Sequence, residues 1–249
     1  MKSIDSSDSF FRYHYFDLLF IDGSALDISD ISTYIHDSKG YSCYIFLSRH
    51  KSSSGRPTLT CHTTGNFNDD TLGGRARELA YTYPSLQKCY MLKLWANRGR
   101  VIGNGYDIVI EATHHGPTAL DKPVLFIEIG SSEKQWNDMD AISTVYTALI
   151  STIIDFKEFK SIGIALGGTH YPDKFTQLLI DSDIALASVA SKYNLEYVDE
   201  HMLRQMIDKS VEEVNHIVLD WKGLGKEKER LLDVIDTVSD EYDLEVIKV

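Results

Sequence analysis

Two adjacent histidines, His114 and His115, stand in the run Thr-His-His-Gly-Pro-Thr at residues 113–118. Imidazole exchanges protons near neutral pH and is the commonest metal ligand among side chains. Residues 106–112 before it form a β-type run with Ile108, Val109 and Ile110 as the apolar body. Gly116 and Pro117 break regular structure after it. Residues 123–129 are a second, nearly all-apolar run, of the kind that suits a strand covered on both faces. The histidines therefore sit where a buried strand ends, which is where open α/β sheets place their ligands.

Two carboxylates accompany them. Glu111 closes the first run and Glu128 is embedded in the second. A lone buried carboxylate is costly, so Glu128 must be paired, protonated or metal-bound. An ion pair with an arginine is the structural alternative to a reactive role.

Other segments must position these groups. Residues 41–47 read as a strand that runs into Ser48, Arg49 and His50. Residues 58–63 alternate like a strand and carry His62, so His50 and His62 would flank one loop mouth. Residues 64–76 form a glycine-rich loop whose N–H groups suit phosphate, although no Walker-type Gly-Lys-Ser/Thr follows. Residues 84–97 predict a helix, with proline in its first turn and Gly99 after its end. Lys88, Lys93, Arg98 and Arg100 would lie outside its apolar face. Ser132 with Gln135 fits a capping box, and the apolar spacing continues one helix from there to about residue 156.

Residues 161–166 predict a buried strand ending in Gly-Gly-Thr-His-Tyr, which bears Gly168, His170 and Tyr171. Helices follow at 172–180, 197–211 and 226–238, and strands at 214–219 and 244–249. The repeated strand–loop–helix order predicts an α/β protein: a three-layer α/β/α sandwich around a mixed, mostly parallel sheet. One domain over residues 1–249 is expected, with the first nine residues polar and frayed.

The chain has three cysteines and no Cys-x-x-Cys pair, which points to a reducing, cytoplasmic setting. The longest uncharged stretch, 141–154, has 14 residues, short of the ~20 needed to span a membrane. Net charge is −12, which argues against unselective nucleic-acid binding, DNA included. Charge is uneven, however. Residues 39–122 hold 11 Lys and Arg against 6 Asp and Glu, a net +5, leaving −17 elsewhere. One basic face on an acidic body is compatible with selective RNA binding.

The ordered set Ser-Arg-His (48–50), Thr-Cys-His-Thr-Thr-Gly-Asn (60–66), Glu-Ala-Thr-His-His-Gly-Pro-Thr (111–118), Glu-Ile-Gly-Ser-Ser-Glu (128–133), Gly-Gly-Thr-His-Tyr (167–171) and Asp-Trp-Lys-Gly (220–223) resembles the D-aminoacyl-tRNA deacylase family of archaea and plants. The resemblance covers roughly residues 41–225. It implies a fold akin to phosphorylases and peptidyl-tRNA hydrolases, zinc dependence, and hydrolysis of the ester joining a D-amino acid to the tRNA 3′ end. Where the family carries a later Gly-His pair, this chain has Ala187 and Ser188.

Ester hydrolysis needs an activated water, a carbonyl polariser and a seat for the ribose-phosphate. His62, His114, His115 and His170 are the expected Zn²⁺ ligands, in a pool that includes Glu128, because imidazole and carboxylate suit that ion. No spacing pattern fixes which of them bind. A metal-free route uses His114 or His115 as general base, held by Glu128, with His50 beside them. Arg49 and Lys51 are expected to hold the terminal nucleotides, with Thr113, Gly116, Ser131, Ser132, Gly168 and Tyr171 lining the substrate site. A phosphorylase-like or aminopeptidase-like hydrolase, and a tRNA-binding protein without chemistry, are the competing readings.

Overall fold

A computed structural model describes residues 9–12, 15–35, 40–52 and 55–249. The expected fraying at the N-terminus falls on residues outside that set, except Ser9. Sixteen elements follow in chain order: β1 (Ser9–Arg12), β2 (Asp17–Phe20), β3 (Tyr44–Lys51), β4 (Thr58–His62), α1 (Pro84–Ala96), β5 (Asp107–Ile110), β6 (Val124–Ser131), α2 (Glu133–Trp136), α3 (Met139–Ile154), β7 (Ser161–Leu166), α4 (Asp173–Asp181), β8 (Ile184–Ala190), α5 (Glu200–Asp208), β9 (His216–Leu219), α6 (Lys228–Tyr242) and β10 (Glu245–Lys248).

The class is α/β as expected, parallel-dominated and flanked by helices. Hydrogen bonding divides the main strands into two four-stranded sheets. One is all parallel, in the order β10-β9-β7-β8. The other, β3-β6-β4-β5, is mixed: β3 runs parallel to β6 and β5 parallel to β4, but β4 is antiparallel to β6. Strands β1 and β2 form a separate hairpin. Thr113 joins the two main sheets. Its N–H donates to the Val189 carbonyl at 2.9 Å, and its hydroxyl accepts from the Val189 N–H at 2.9 Å.

Helix α1 lies between these layers. Leu86, Tyr90, Met91 and Leu94 pack with Leu59, Ile110 and Val218, while Cys89 packs with Ile162 and Ile164. Burial on both sides overturns the expected position of Lys88 on a solvated face: it is only 1 % exposed. Its ammonium donates to the carbonyls of Leu179 (2.5 Å) and Ser182 (2.7 Å) at the end of α4 and of Ile184 (3.1 Å) at the start of β8.

Two further expectations change. The helix from Ser132 stops after α2 and restarts at α3, because the Asp138 carboxylate accepts from the Asp140 N–H at 2.9 Å and makes a new N-cap. Ser132 donates to the Gln135 side chain at 2.6 Å instead of closing a capping box. Strand β8 is an element the sequence did not announce, since its Ala-Leu-Ala-Ser core has little β-branched character.

Candidate active site

The site gathers where β3, β4, β5, β6 and the loop after β7 approach one another. Register explains the carboxylates. Thr60 pairs with Glu128 across the antiparallel β4–β6 ladder, and the Glu111 N–H donates to the Cys61 carbonyl at 3.0 Å. Glu111 and Glu128 thus come from strands on opposite flanks of β4, both buried, at 1 % and 4 % exposure.

His50 lies between them. Its Nδ1 is 3.0 Å from Glu128 Oε2 and 3.6 Å from Glu111 Oε1. Its Nε2 meets the Tyr171 hydroxyl at 2.8 Å, and its carbonyl accepts from Trp136 Nε1 at 3.0 Å. The bond to Glu128 raises the His50 pKa against the opposing effect of burial. Burial, with the two carboxylates, pushes the Tyr171 hydroxyl up to about 12. Glu111 also accepts from the Thr60 hydroxyl at 2.5 Å and pairs with His170 Nε2 at 2.8 Å. Burial alone would raise its pKa; the His170 bond and the surrounding imidazoles bring it below the ordinary carboxylate range.

A second group is purely imidazole. His62, His114 and His115 each offer a ring nitrogen, and these atoms lie within 4.8 Å of one another. Each ring has Nδ1 against a backbone carbonyl: Thr63 at 3.1 Å, Ala112 at 2.8 Å and Gly116 at 2.5 Å. Those bonds place the ring proton on Nδ1 and leave each Nε2 lone pair available. His62 Nε2 is fully buried with no hydrogen-bond partner. Burial, reinforced by its imidazole neighbours, holds His62 well below its ordinary pKa, and burial with the His115 neighbour brings His114 to about 3. Burial also lowers His115, against its bond to the Gly116 carbonyl. Three neutral imidazoles with ring nitrogens this close together, one of them orphaned and buried, fit a Zn²⁺ ion. Glu111, His114 and His170 form an adjoining group.

The backbone maintains this convergence. His115 has φ 47°, in the left-handed region that few non-glycine residues adopt. Gly116 follows in a space with no room for a side chain: a Cβ there would lie 2.1 Å from the Leu26 carbonyl oxygen. His50, His114, His115 and Glu128 open on a cavity of about 730 Å³ that Leu26, Phe46, Leu72 and Phe126 also line.

A family model described as D-aminoacyl-tRNA deacylase matches residues 37–247. The chain belongs to that family. A D-aminoacyl-tRNA deacylase of Cenarchaeum symbiosum is 41% identical over 222 residues, covering 89% of this chain and 83% of the relative. One of Methanocaldococcus jannaschii is 33% identical over 239 residues, covering 92% and 90%. A crystal structure titled as a conserved protein of unknown function superposes with a TM-score of 0.84 at 26% identity, covering 97% of this chain and 86% of that one.

Within this deacylase-family chain, the structure brings together His50, His62, His114, His115, Glu128, His170 and Tyr171. Glu128 bonds to His50 and not to the His-His pair. Glu111 is the residue that sequence reasoning left without a role, although it bridges toward His50, His114 and His170. Its signal was a carboxylate closing an apolar run three residues before His114. Arg49 and Lys51 line the cavity, and the Arg49 guanidinium lies 5.3 Å over the Trp136 ring. Thr113 is fully buried, with its hydroxyl on Thr63 and Val189, so it joins the sheets. Ser131 is buried with an unpartnered hydroxyl, and Ser132 is exposed. Gly168 lines a second cavity, of about 170 Å³, together with Tyr171. Ser188 is fully buried in β8, next to Val189, and its hydroxyl has no partner.

The glycine-rich loop is closed on the protein. Asn66 donates to the Gly73 and Arg75 carbonyls, and the Arg75 N–H is taken by the Thr118 hydroxyl. Gly74 packs against Thr118 and Gly116. The loop braces the His-His segment, with the N–H groups of Gly65, Gly73 and Arg75 bonded within the protein.

Proposed function

We propose that this chain hydrolyses the ester between a D-amino acid and the 3′ end of tRNA, releasing free D-amino acid and tRNA. The observation that carries the reading is His50 held between two buried carboxylates beside three neutral imidazoles, in a chain of the D-aminoacyl-tRNA deacylase family.

The residues divide the work by protonation state. The attacking water bonds its oxygen to the ester carbonyl carbon; in a metal-free route its proton passes to His115, neutral and with a free Nε2. When the bond from that carbon to the ribose oxygen breaks, the leaving oxygen needs a proton. Tyr171, hydrogen-bonded to the His50 ring, is placed to give one, and His50 replaces it. Glu128 fixes the His50 ring and favours its protonated form. In the alternative route the ring nitrogens of His62, His114 and His115 would hold Zn²⁺, with His170 adjoining through Glu111; the ion would supply a water with a pKa near 7, and His115 would then be a ligand in place of a base.

Arg49 and Lys51, on the cavity wall beside His50, hold the terminal nucleotides. No helix among the described residues is long and apolar enough to cross a membrane, and the three cysteines are unpaired. Both features suit the cytoplasm, where aminoacyl-tRNA is found.

Incubation with D- and L-aminoacyl-tRNA, with and without a chelator, tests the reading. Cleavage of the D-form with little of the L-form, lost on chelation, is expected. Equal cleavage of both enantiomers would leave an esterase without chiral selection. Phosphate-dependent turnover or cleavage of free peptides would indicate one of the competing hydrolase classes.

A further inference from the structure

The parallel sheet ends in a row of lysines that lack carboxylate partners. Along the order β10-β9-β7-β8, its C-terminal edge carries Lys248, then Trp221 and Lys222 just past β9, then Gly167 and Gly168, then Lys192 just past β8. These positions are contiguous. The Trp221 N–H faces the Val249 carbonyl at 3.4 Å, and the Lys192 N–H donates to the Gly168 carbonyl at 2.8 Å. Gly223 is packed so closely on Gly168 that a Cβ there would lie 2.7 Å from the Gly168 nitrogen.

Aromatic rings hold the ammonium groups. Lys228 and Lys248 lie 4.3 and 4.1 Å from the Trp221 ring centre, and Lys192 lies 5.1 Å from that of Tyr193, which is 61% exposed. Such contacts orient a cation without neutralising it. Two carboxylates beside this edge pair with other cations: Asp220 with Lys174 at 2.7 Å, and Glu227 with Arg230 at 2.9 Å. None of Lys192, Lys222, Lys228 and Lys248 has an ion pair among the described residues. In a chain of net charge −12, internal pairing does not account for this edge.

Geometry selects the partner. His170 and Tyr171 stand on the loop that leaves β7, so the same edge borders the reactive groups. Neighbouring strands are ~4.8 Å apart, so the three spacings from β10 to β8 span about 14 Å. That length suits successive phosphates on one strand and exceeds a single small anion. We propose that this lysine edge binds the sugar–phosphate backbone of the tRNA acceptor stem as it leaves the site. The proposal rests on the reading of the site as an aminoacyl-tRNA esterase.

The test compares full-length chains carrying Lys192→Gln/Lys222→Gln/Lys248→Gln or Lys192→Glu/Lys222→Glu; the second set leaves the Trp221 contacts intact. Uncharged tRNA binding is measured against salt, and hydrolysis is measured on D-aminoacyl-tRNA and on a D-aminoacyl ester of adenosine, which has no stem. Expected are a tenfold or greater loss of tRNA affinity and a salt slope shallower by about 2–3 in the triple variant, at about 0.9 per duplex phosphate contact. Cleavage of the adenosine ester should stay at the wild-type rate. An unchanged slope in both variants, with normal cleavage, overturns the lysine edge alone. A shallower slope with no ester cleavage by any form, wild type included, supports the edge as an RNA surface and refutes the esterase reading.

Discussion

The Nδ1 of His50 lies 3.0 Å from Oε2 of Glu128, across the parallel pairing of β3 with β6. The contact makes Glu128 the orienter of an imidazole in a different segment from the His-His pair. Glu128→Gln preserves shape but removes the charge that favours protonated His50. We predict a turnover loss of about 100- to 10,000-fold, the range for losing general acid–base assistance, with a small change in melting temperature. Melting and single-turnover cleavage should be followed on the same samples. If Glu128 were only scaffold, losing it would cost about 3–5 kcal/mol of stability, with near-normal turnover at low temperature.

Acid should destabilise the fold through the imidazole group. His62 and His114 are held neutral by burial, with His114 at about 3. In the unfolded chain they titrate near 6.5. As pH falls below that value, the unfolded state takes up protons that the folded state refuses, so stability declines from pH 6.5 toward 3. His50 has the opposite sign: its raised pKa gives stability that is full below 6.5 and lost as pH rises through its folded value. Urea midpoints across this range should show a weaker acid loss in His62→Gln/His114→Gln. In His50→Gln the decline below pH 6.5 should keep its slope, and the gain in stability as pH falls to 6.5 from above should disappear.

Metal removal provides a separate readout. The purified chain should carry zinc by elemental analysis, and a chelator should lower its melting temperature, because a ligand that binds only the folded state stabilises it. His62→Ala/His115→Ala should contain no zinc and should not respond to the chelator. A variant that retains zinc after both changes would remove the ion from these residues.

Lys88 should matter for stability alone. Burial brings its pKa down to about 8, and its ammonium satisfies three carbonyls. Lys88→Met leaves those acceptors buried and unpaired, at about 1–3 kcal/mol for each such group. The wild-type chain should gain stability between pH 8 and the unfolded value near 10.4, since the unfolded state there binds more protons. Lys88→Met should lose that rise while keeping its turnover per folded molecule.

Much of the site was legible because strand ends announce themselves. Apolar runs stop at Gly and Pro, and the histidines stranded there at 62, 114, 115 and 170 do meet. The partner of Glu128 was not legible, because it is fixed by register between segments 78 residues apart. Direction was hidden as well: alternation in residues 58–63 is the same for a parallel and an antiparallel strand. Lys88 was misplaced because a helix packed on both sides retains a polar residue only where carbonyls from another element receive it.

The antiparallel meeting of β4 and β6, joined to the second sheet through Thr113 and Val189, makes function indivisible along the chain. His50, His62, Glu111, His115 and Glu128 meet on the mixed sheet, and Tyr171 reaches His50 from the loop after β7, so the set is complete only when both sheets are closed. An excised half is expected to lack part of the set. Residual turnover in urea should therefore trace the globally folded fraction, which makes substrate cleavage a direct gauge of intact molecules.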